Sequence, residues 1–537
     1  MRTTVWVPPP GLEPGTSVPK TDVISISPRG QHVLYYCIPA KNAIMYYYTP
    51  MTYPIPKEIQ SVIDTLQKHG HEAYLVGGCV RDLVIGRKPK DWDVTTNAKP
   101  DEIQGMFEET FYTNEFGTVG VVLDTEDKNL KIVEVTPYRT ESAYSDKRRP
   151  DSVSFSESIE EDLARRDFTI NAIAYDSSKG QIVDPYKGHD DLKRHVIRAV
   201  GIAQDRFEED GLRLMRALRF VAELNFALDT ETAEAIQKKS HVLQHVSKER
   251  IRDELVRILQ SDQPVVALML AAKLDILKYI VPDIVQGIDV AQNHAHSFDV
   301  FEHLMRTMQH AADKKWTLEM RLAGLFHDVA KPKTRRWSEE KQEWTFYGHD
   351  VVGSRVTEHA LKELRFSREI VERVVKLVRW HMFFSDPDKI TLSAVRRIIS
   401  NVGEENVWDL LNLRICDRVG TGRPKEQPFR FRKYKAMVEQ ALRDPISVKM
   451  LKINGTILMD EFHVKAGPRI GWILNSLLEE VLDDPKKNSR EYLDSRVNEL
   501  ISLSDDDLRK LGEAGKTERE KREGREIKNI MDKYHVQ

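Results

Sequence analysis

Cysteine is nearly missing from this 537-residue chain: three occur, Cys37, Cys79 and Cys416, far apart in sequence. They can build neither a disulfide scaffold nor a CxxC zinc site, and such usage fits a reducing compartment, the cytoplasm. Long apolar runs are missing too. The richest, Val265 to Ala272, falls well short of the ~20 residues needed to span a bilayer, so no membrane partner is expected. Nor is there an excess of charge of one sign. The 81 Lys+Arg stand against 84 Asp+Glu, a formal net charge of −3. That excludes a globally basic nucleic-acid binder, and any nucleic acid must meet a local basic surface. Residues 1–50 carry Pro8, Pro9, Pro10 and Pro14 but neither apolar periodicity nor a signal-peptide pattern. They are expected to form a disordered leader, with Met51 a candidate start. The sequence carries no signal for oligomeric state.

What is present suits a folded chain of several domains. Hydrophobic residues make up 40% and charged residues 31%. The length alone suggests about three or four domains. Ile59, Val62, Ile63 and Leu66 have helical spacing within residues 55–69. A short apolar strand, Ala73 to Val76, leads into Gly77-Gly78 and a second helix over 80–85. Asp91 to Thr95 reads as a strand, 101–109 as a helix, and 118–124 and 131–136 as further strands. From about Glu157 onward the pattern is almost entirely helical, with soft boundaries near Val281-Pro282 and in the Gly- and Pro-rich stretch from Gly420 to Pro428. The expected fold class is therefore α+β, a small sheet followed by a long helical body.

The first chemical constellation is Asp91 and Asp93. On a strand the i, i+2 spacing puts both carboxylates on one face, with Cα atoms roughly 6.5 Å apart. Such a pair can hold Mg²⁺ ions, which sit about 3.5–4 Å apart in sites that transfer phosphoryl groups. Trp92 faces the core, and Glu134, on a later strand, is a third acidic candidate. On spacing alone a DxD is more often a solvated surface pair. Gly77-Gly78 changes that reading, because a strand-to-helix turn without side chains lets backbone N–H groups approach a phosphate. Arg81 stands one turn further on.

The string Leu75-Val76-Gly77-Gly78-Cys79-Val80-Arg81-Asp82, then Gly86 and Asp91-Trp92-Asp93, resembles the catalytic motif of bacterial-type class II tRNA nucleotidyltransferases and poly(A) polymerases, within the DNA polymerase beta superfamily. The resemblance implies Mg²⁺ at Asp91 and Asp93 and nucleotide contacts from Gly78 and Arg81. Arg165-Arg166-Asp167-Phe168-Thr169-Ile170-Asn171-Ala172 is similar to the family's next motif, with Arg166 favoured as the nucleotide contact and Asp167 and Asn171 bracing that arginine or the ribose. Planar bidentate Arg suits a triphosphate. Asp184-Pro185, Gly188 and Asp191-Leu192 resemble a structural motif of the family.

Arg213, Arg216 and Arg219 recur every third residue after Glu209-Asp210. Three arginines on one helix face repel unless an anion or acidic groups lie opposite. The resemblance implies that Asp210 and Arg213 act as an amino-acid template for the Watson–Crick edge of CTP or ATP. An unsatisfied buried partner would cost a wrong base roughly 1–3 kcal/mol. Arg216 and Arg219 match nucleotide-contacting positions, and Lys248-Glu249-Arg250-Ile251 resembles a motif that braces the helices. The polar stretch with Arg139, Glu141, Tyr144, Asp146, Arg148, Arg149 and Pro150 resembles the loop associated with the switch from C to A addition.

A third constellation is spread over the helical half: His303, His327-Asp328, His349, His381 and Asp417. Imidazoles with carboxylates suit first-row divalent metals. Their order resembles an HD phosphohydrolase domain, which implies a second divalent metal of the Mn, Ni or Fe class. His294 and His296 are given no role. Arg423 to Lys435 is a candidate for phosphate contacts.

The resemblance covers most of residues 55–505, and with the leader and tail read from the sequence pattern the expected organisation is: 1–50 leader; 51–180 polymerase-beta-like nucleotidyltransferase head; 181–281 helical neck with the nucleotide-selecting helix and RNA-binding region; 282–422 HD domain; 423–537 helical tail region. The expected activity is addition of CCA to tRNA 3′ ends from CTP and ATP. The alternatives are a poly(A) polymerase, an enzyme adding only the terminal A, and an HD phosphohydrolase with a non-catalytic RNA-binding head.

Overall fold

The computed structural model describes residues 52–113, 117–141, 153–293, 296–383, 390–423, 425–443, 451–483 and 485–513, with two short paired strands at Ile24–Ser25 and Leu34–Tyr35. The rest of the leader expected over 1–50, with Cys37, lies outside the described residues, as do Tyr144 to Pro150, His294 and the tail after residue 513. Among the described residues no helix is long and apolar enough to cross a membrane. The chain divides into two compact units. One holds residues up to Gln286 with Ala312–Leu318 and Ala360–Phe366; the other holds the remainder.

The first unit is built on a seven-stranded sheet. Its order is Gln181–Val183, Ala174–Asp176, Ala73–Val76, Asp93–Thr96, Ile132–Pro137, Val119–Val122, Thr110–Tyr112. Only the Asp93–Thr96 and Ile132–Pro137 pair is parallel, and it sets Asp93 beside Glu134. Helix Lys57–Lys68 buries Ile59, Val62, Ile63 and Leu66, the four residues whose spacing marks its apolar face. Each such side chain contributes roughly 1.5–3 kcal/mol of burial.

Two expectations change here. The chain after Glu157 is not almost entirely helical, because Ala174–Asp176 returns to pair with Ala73–Val76 and forms a hairpin with Gln181–Val183. The boundary expected at residue 180 falls inside that hairpin. These strands have three residues each and bury Ala174, Tyr175 and Asp176 against the sheet, so cross-strand pairing decides their state where local periodicity is too short to. The strand expected from Asp91 starts instead at Asp93, with Asp91 in the bend before it.

Helices Ala203–Glu209, Leu212–Leu224, Thr230–Lys239, Lys248–Gln260 and Pro264–Lys273 complete the unit. Leu212–Leu224 is almost wholly buried, Arg213 and Arg219 included. It stops at Asn225, which takes a left-handed φ of 59°. Thr230–Lys239 starts under the Asp229 side chain, which accepts from Thr232 N.

Among its described residues, the second unit is helical apart from the hairpin Arg336–Ser338 and Glu343–Thr345. Phe429–Arg443, beyond the boundary expected near 422, packs on Leu392–Val402. Phe383 stacks on Tyr434 beneath it, with ring centroids 5.3 Å apart. Helices Pro468–Asp483 and Arg490–Ile501 enclose a separate apolar cluster that includes Leu477, Leu493 and Leu500.

Candidate active site

A cavity of about 900 Å³ opens in the first unit, and the sheet supplies its acidic floor. Asp91 and Asp93 both line it, although only Asp93 lies in a strand. Burial pushes the Asp93 carboxyl up to about 6, and Glu134 and Asp91 add to the rise against the pull of Arg166. Crowded carboxylates of this kind are relieved by a divalent cation, and their oxygen donors suit Mg²⁺. The strand Ala73–Val76 enters the site through Gly77, whose φ of 77° few side chains tolerate. A Cβ there would also come within 2.9 Å of Arg166 Nη1. The chain turns straight into helix Gly78–Val84, which carries Arg81 to the cavity wall.

The arginines are held by acids from other elements. Arg166 Nη2 donates to Asp162 Oδ2 at 3.0 Å, while Arg165 takes Asp162 Oδ1 at 2.7 Å. Asp162 is fully buried; burial opposes its charge, but Arg166 and Arg165 hold its carboxyl below the usual range. Arg166 Nε is buried without a hydrogen-bond partner. Arg81 Nη1 donates to Asn171 Oδ1 at 3.0 Å, Asn171 Nδ2 to Asp167 Oδ1 at 3.3 Å, and Arg216 Nε to Asp167 Oδ2 at 2.6 Å. This is one continuous chain of bonds. Burial works against the Asp167 charge, yet Arg216 brings that carboxyl down to about 2. Asp167 thus braces Arg216 and not the neighbouring Arg166, whose brace is Asp162.

Asp210 and Arg213, the pair expected to select the nucleotide, sit where the helix Leu212–Leu224 begins. Asp210 accepts from Leu212 N at 3.0 Å and receives Arg250 on both oxygens, at 3.2 and 2.7 Å. Arg213 donates to Glu209 Oε2 at 2.6 Å and to the carbonyls of Arg206 and Arg165. Arg219 lines the cavity but gives Nη1 to both oxygens of Glu254, at 2.8 and 2.9 Å. The acids opposite the arginine stripe are therefore Glu209, Asp167 and Glu254. Phe220 lies among the cations, with the guanidinium carbons of Arg81, Arg216 and Arg219 at 5.4, 5.6 and 4.5 Å from its ring centroid. Gly78 joins the same cavity lining, so every expected nucleotide-site residue meets there.

The second unit gathers the histidines around Asp328. His303 Nε2 and His327 Nε2 stand 3.1 and 3.2 Å from its Oδ2; His349 Nε2 and His381 Nε2 stand 3.1 and 3.4 Å from its Oδ1. Asp417 Oδ1 is 3.4 Å from His303 Nε2. The approach of Asp417 needs Gly420 three residues on: a Cβ there would collide with Thr307 and reach within 3.2 Å of His303 Nδ1. Backbone carbonyls of Gly324, Phe346 and Val378 lie 2.9, 2.6 and 2.7 Å from Nδ1 of His327, His349 and His381. Carbonyls only accept, so Nδ1 carries a proton and the Nε2 atoms converge on Asp328. Imidazole nitrogens and carboxylate oxygens packed about 3 Å apart are held together by shared protons or by a metal cation. Burial opposes the charges of Asp328 and Asp417, but the surrounding imidazoles and Lys331 or Arg414 hold both carboxyls well below the usual range. A cavity of about 1130 Å³ opens on Asp328, His349 and Asp417, with exposed Tyr347, Met382 and Phe429 in its wall.

The structure brings together every residue of the expected His–Asp set, and beside them stand Lys331, whose Nζ is 2.5 Å from Asp328 Oδ2 and which nothing in the sequence marked, and His296, which was given no role. His296 lies among the same donors; burial and Lys331 push its imidazole down to about 3. In the first unit Asp162 and Glu254 were missed, and Glu209 was read in its motif without the bond it makes to Arg213. The i+3 and i+4 spacing from Asp162 to Arg165 and Arg166 was a usable signal. No local signal ties Arg219 to Glu254.

The geometry agrees with what comparison with known proteins finds. Family models match residues 73–198 ("Poly A polymerase head domain"), 225–287 ("Probable RNA and SrmB- binding site of polymerase A") and 300–418 ("HD domain"). A CCA-adding enzyme of Bacillus cereus is 48% identical over 204 residues, 38% of this chain and 50% of its own length. Over such matches the chain spans about half the length of the curated relatives. A solved structure of the Bacillus stearothermophilus CCA-adding enzyme in complex with CTP superposes with a TM-score of 0.55 at 27% identity, covering 83% of this chain and 98% of that one. The CCA-adding enzyme of Lactiplantibacillus plantarum is 31% identical over 447 residues, 82% of this chain and 96% of its own. By that last match, which runs through both units, the chain belongs to the family of CCA-adding enzymes.

Proposed function

We propose that this chain adds CCA to tRNA 3′ ends from CTP and ATP, without a nucleic-acid template, in the cytoplasm. The observation that carries the proposal is the meeting, in one cavity, of a crowded carboxylate pair, a set of arginines and an Asp/Arg pair braced for hydrogen bonding. The tRNA 3′-hydroxyl loses its proton to solvent, its oxygen attacks the α-phosphorus, the bond from that phosphorus to the α–β bridging oxygen breaks, and pyrophosphate leaves. Asp91 and Asp93 would hold Mg²⁺, which would supply Lewis-acid chemistry toward the 3′-oxygen and the triphosphate. Arg166 binds triphosphate oxygens alongside Arg81 and Arg216. Asp210 accepts from the exocyclic amino group of cytosine or adenine, and Arg213 donates to the ring acceptors. Uracil and guanine offer the reverse pattern and leave that pair unsatisfied. Arg219, committed to Glu254, fixes the helix that carries Arg213 and begins just after Asp210. Radiolabelled CTP and tRNA lacking its CCA end test this: label should enter the RNA with the parent protein and not with Asp91→Ala or Asp93→Ala. Incorporation by either variant at the parent rate would rule the assignment out.

We propose further that the head, neck and HD domain follow the expected division, with the head continued through the Gln181–Val183 strand. The imidazoles around Asp328 form a centre for a divalent metal of the Mn, Ni or Fe class, in a phosphohydrolase site. The converging Nε2 atoms support this second reading. Phosphate release from a phosphoester that persists in Asp91→Ala and vanishes in His327→Ala is the expected result. Release unaffected by His327→Ala would remove the reading.

A further inference from the structure

His296 lies outside the His–Asp pattern that the sequence resemblance accounts for, yet its ring is built into the same cluster. It stands in the segment before helix Val300–Asp313. Asn293 Oδ1 is 2.7 Å from its Nδ1. An amide oxygen can only accept, so Nδ1 carries the proton and the Nε2 lone pair is free to bind. That is the same anchoring that turns His327, His349 and His381 inward, achieved here by a side-chain oxygen instead of a backbone carbonyl. One donor atom each from His296, His303, Asp328 and Asp417 lie within 4.8 Å of one another. Asp328, His349 and His381 form a second such group, joined to the first through Asp328.

The space between these donors is already used by a cation. Lys331 is buried, and its Nζ lies 2.5 Å from Asp328 Oδ2, 3.3 Å from His296 Nε2 and 2.6 Å from Gln292 Oε1. Three acceptors match the three N–H bonds of an ammonium group. The lysine therefore satisfies the lone pair of His296 and half of Asp328 at once.

We propose that His296 is a metal ligand, completing a set of two imidazoles and two carboxylates for a first-row divalent cation, and that the Lys331 ammonium is the internal cation this metal displaces. The inference rests on the reading of the second unit as a metal centre. Two carboxylates balance a divalent charge, and the mixed nitrogen and oxygen donors suit Mn²⁺, Fe²⁺, Co²⁺ or Zn²⁺. A metal on His296 Nε2 takes the one lone pair of that nitrogen, so the ammonium group cannot keep its contact there, and like charges at contact distance repel strongly away from water. Loading must then move Lys331 away from His296 Nε2. Without His296 the site keeps three donors and loses affinity. Without the Lys331 charge it gains affinity.

Co²⁺ titration of the full chain tests this, with Asp91→Ala and Asp93→Ala in the background so that only the second unit reports. Binding is followed by calorimetry and by the visible absorption of Co²⁺, which responds to coordination number and donor type. His296→Asn should weaken one Co²⁺ site by about tenfold or more and alter its absorption band. Lys331→Met should tighten the same site, a change in the opposite direction that misfolding cannot produce. Parent-like affinity and spectrum in His296→Asn, or weaker binding in Lys331→Met, would overturn the proposal. Absence of Co²⁺ binding by the background protein would overturn it together with the metal-centre reading; binding there with unchanged variants would overturn the His296 assignment alone.

Discussion

Replacing Asp167 with asparagine tests the electrostatic core of the nucleotide site. Asp167 is buried, pairs with Arg216 at 2.6 Å and accepts from Asn171 at 3.3 Å. Its carboxyl is brought from an ordinary value of 3.8 to about 2. A shift of nearly two units, at about 1.4 kcal/mol each, makes the charge worth about 2 kcal/mol to the folded state. Because the folded value is depressed, that contribution is complete above the unfolded pKa and is lost as pH falls through the folded one. Asp167→Asn should therefore lower local stability by about 2 kcal/mol near pH 7, and the gap from the parent should shrink to roughly half near pH 3. Hydrogen exchange of peptides covering residues 165–172, read across a urea series, isolates this region from the rest of a multi-unit chain. Equal protection of parent and variant at neutral pH, or a gap that does not narrow in acid, would refute the reasoning.

Three further outcomes are expected. Arg219→Leu leaves Glu254 buried without its bidentate partner and should cost about 3–5 kcal/mol in urea unfolding, with most of the loss recovered in the Arg219→Leu/Glu254→Leu double variant. Equal losses in single and double variants would show that the pair matters through packing and not charge. Asp210→Ala should lower the preference for CTP over UTP in single-nucleotide incorporation by about 10- to 100-fold, since one of two selecting groups is gone; an unchanged preference removes Asp210 from base selection. Asp93→Ala should reduce nucleotide addition by about a thousandfold or more while far-UV circular dichroism stays that of the parent.

The candidate site residues were legible because their types and spacing are local. Gly77-Gly78, Asp91 and Asp93, the arginine stripe and the His-Asp pair all sit in short strings, and the Ala73–Val76 strand was read with its observed bounds. What holds those residues was much less legible. Arg216 finds Asp167 across 49 residues and Arg219 finds Glu254 across 35, separations at which no periodicity speaks. The hairpin Ala174–Val183 escaped for the opposite reason: it is too short for a period, and its state follows from pairing with Ala73–Val76. Asp91 kept its place on the cavity wall even though the strand begins two residues later, because the bend before Asp93 still turns its carboxylate toward the site. His296 was visible as a residue type, but its anchoring by Asn293 and its contact with Lys331 exist only in the folded chain.

The central claim is the product of the head. Parent protein with Mg²⁺, CTP and ATP, given tRNA ending at the discriminator base and separately tRNA ending in CC, tests it on a sequencing gel. The account predicts extension of the first substrate by three nucleotides, C, C and A, and of the second by a single A. Extension of the second alone, long A tails on either, or no extension of either would contradict it.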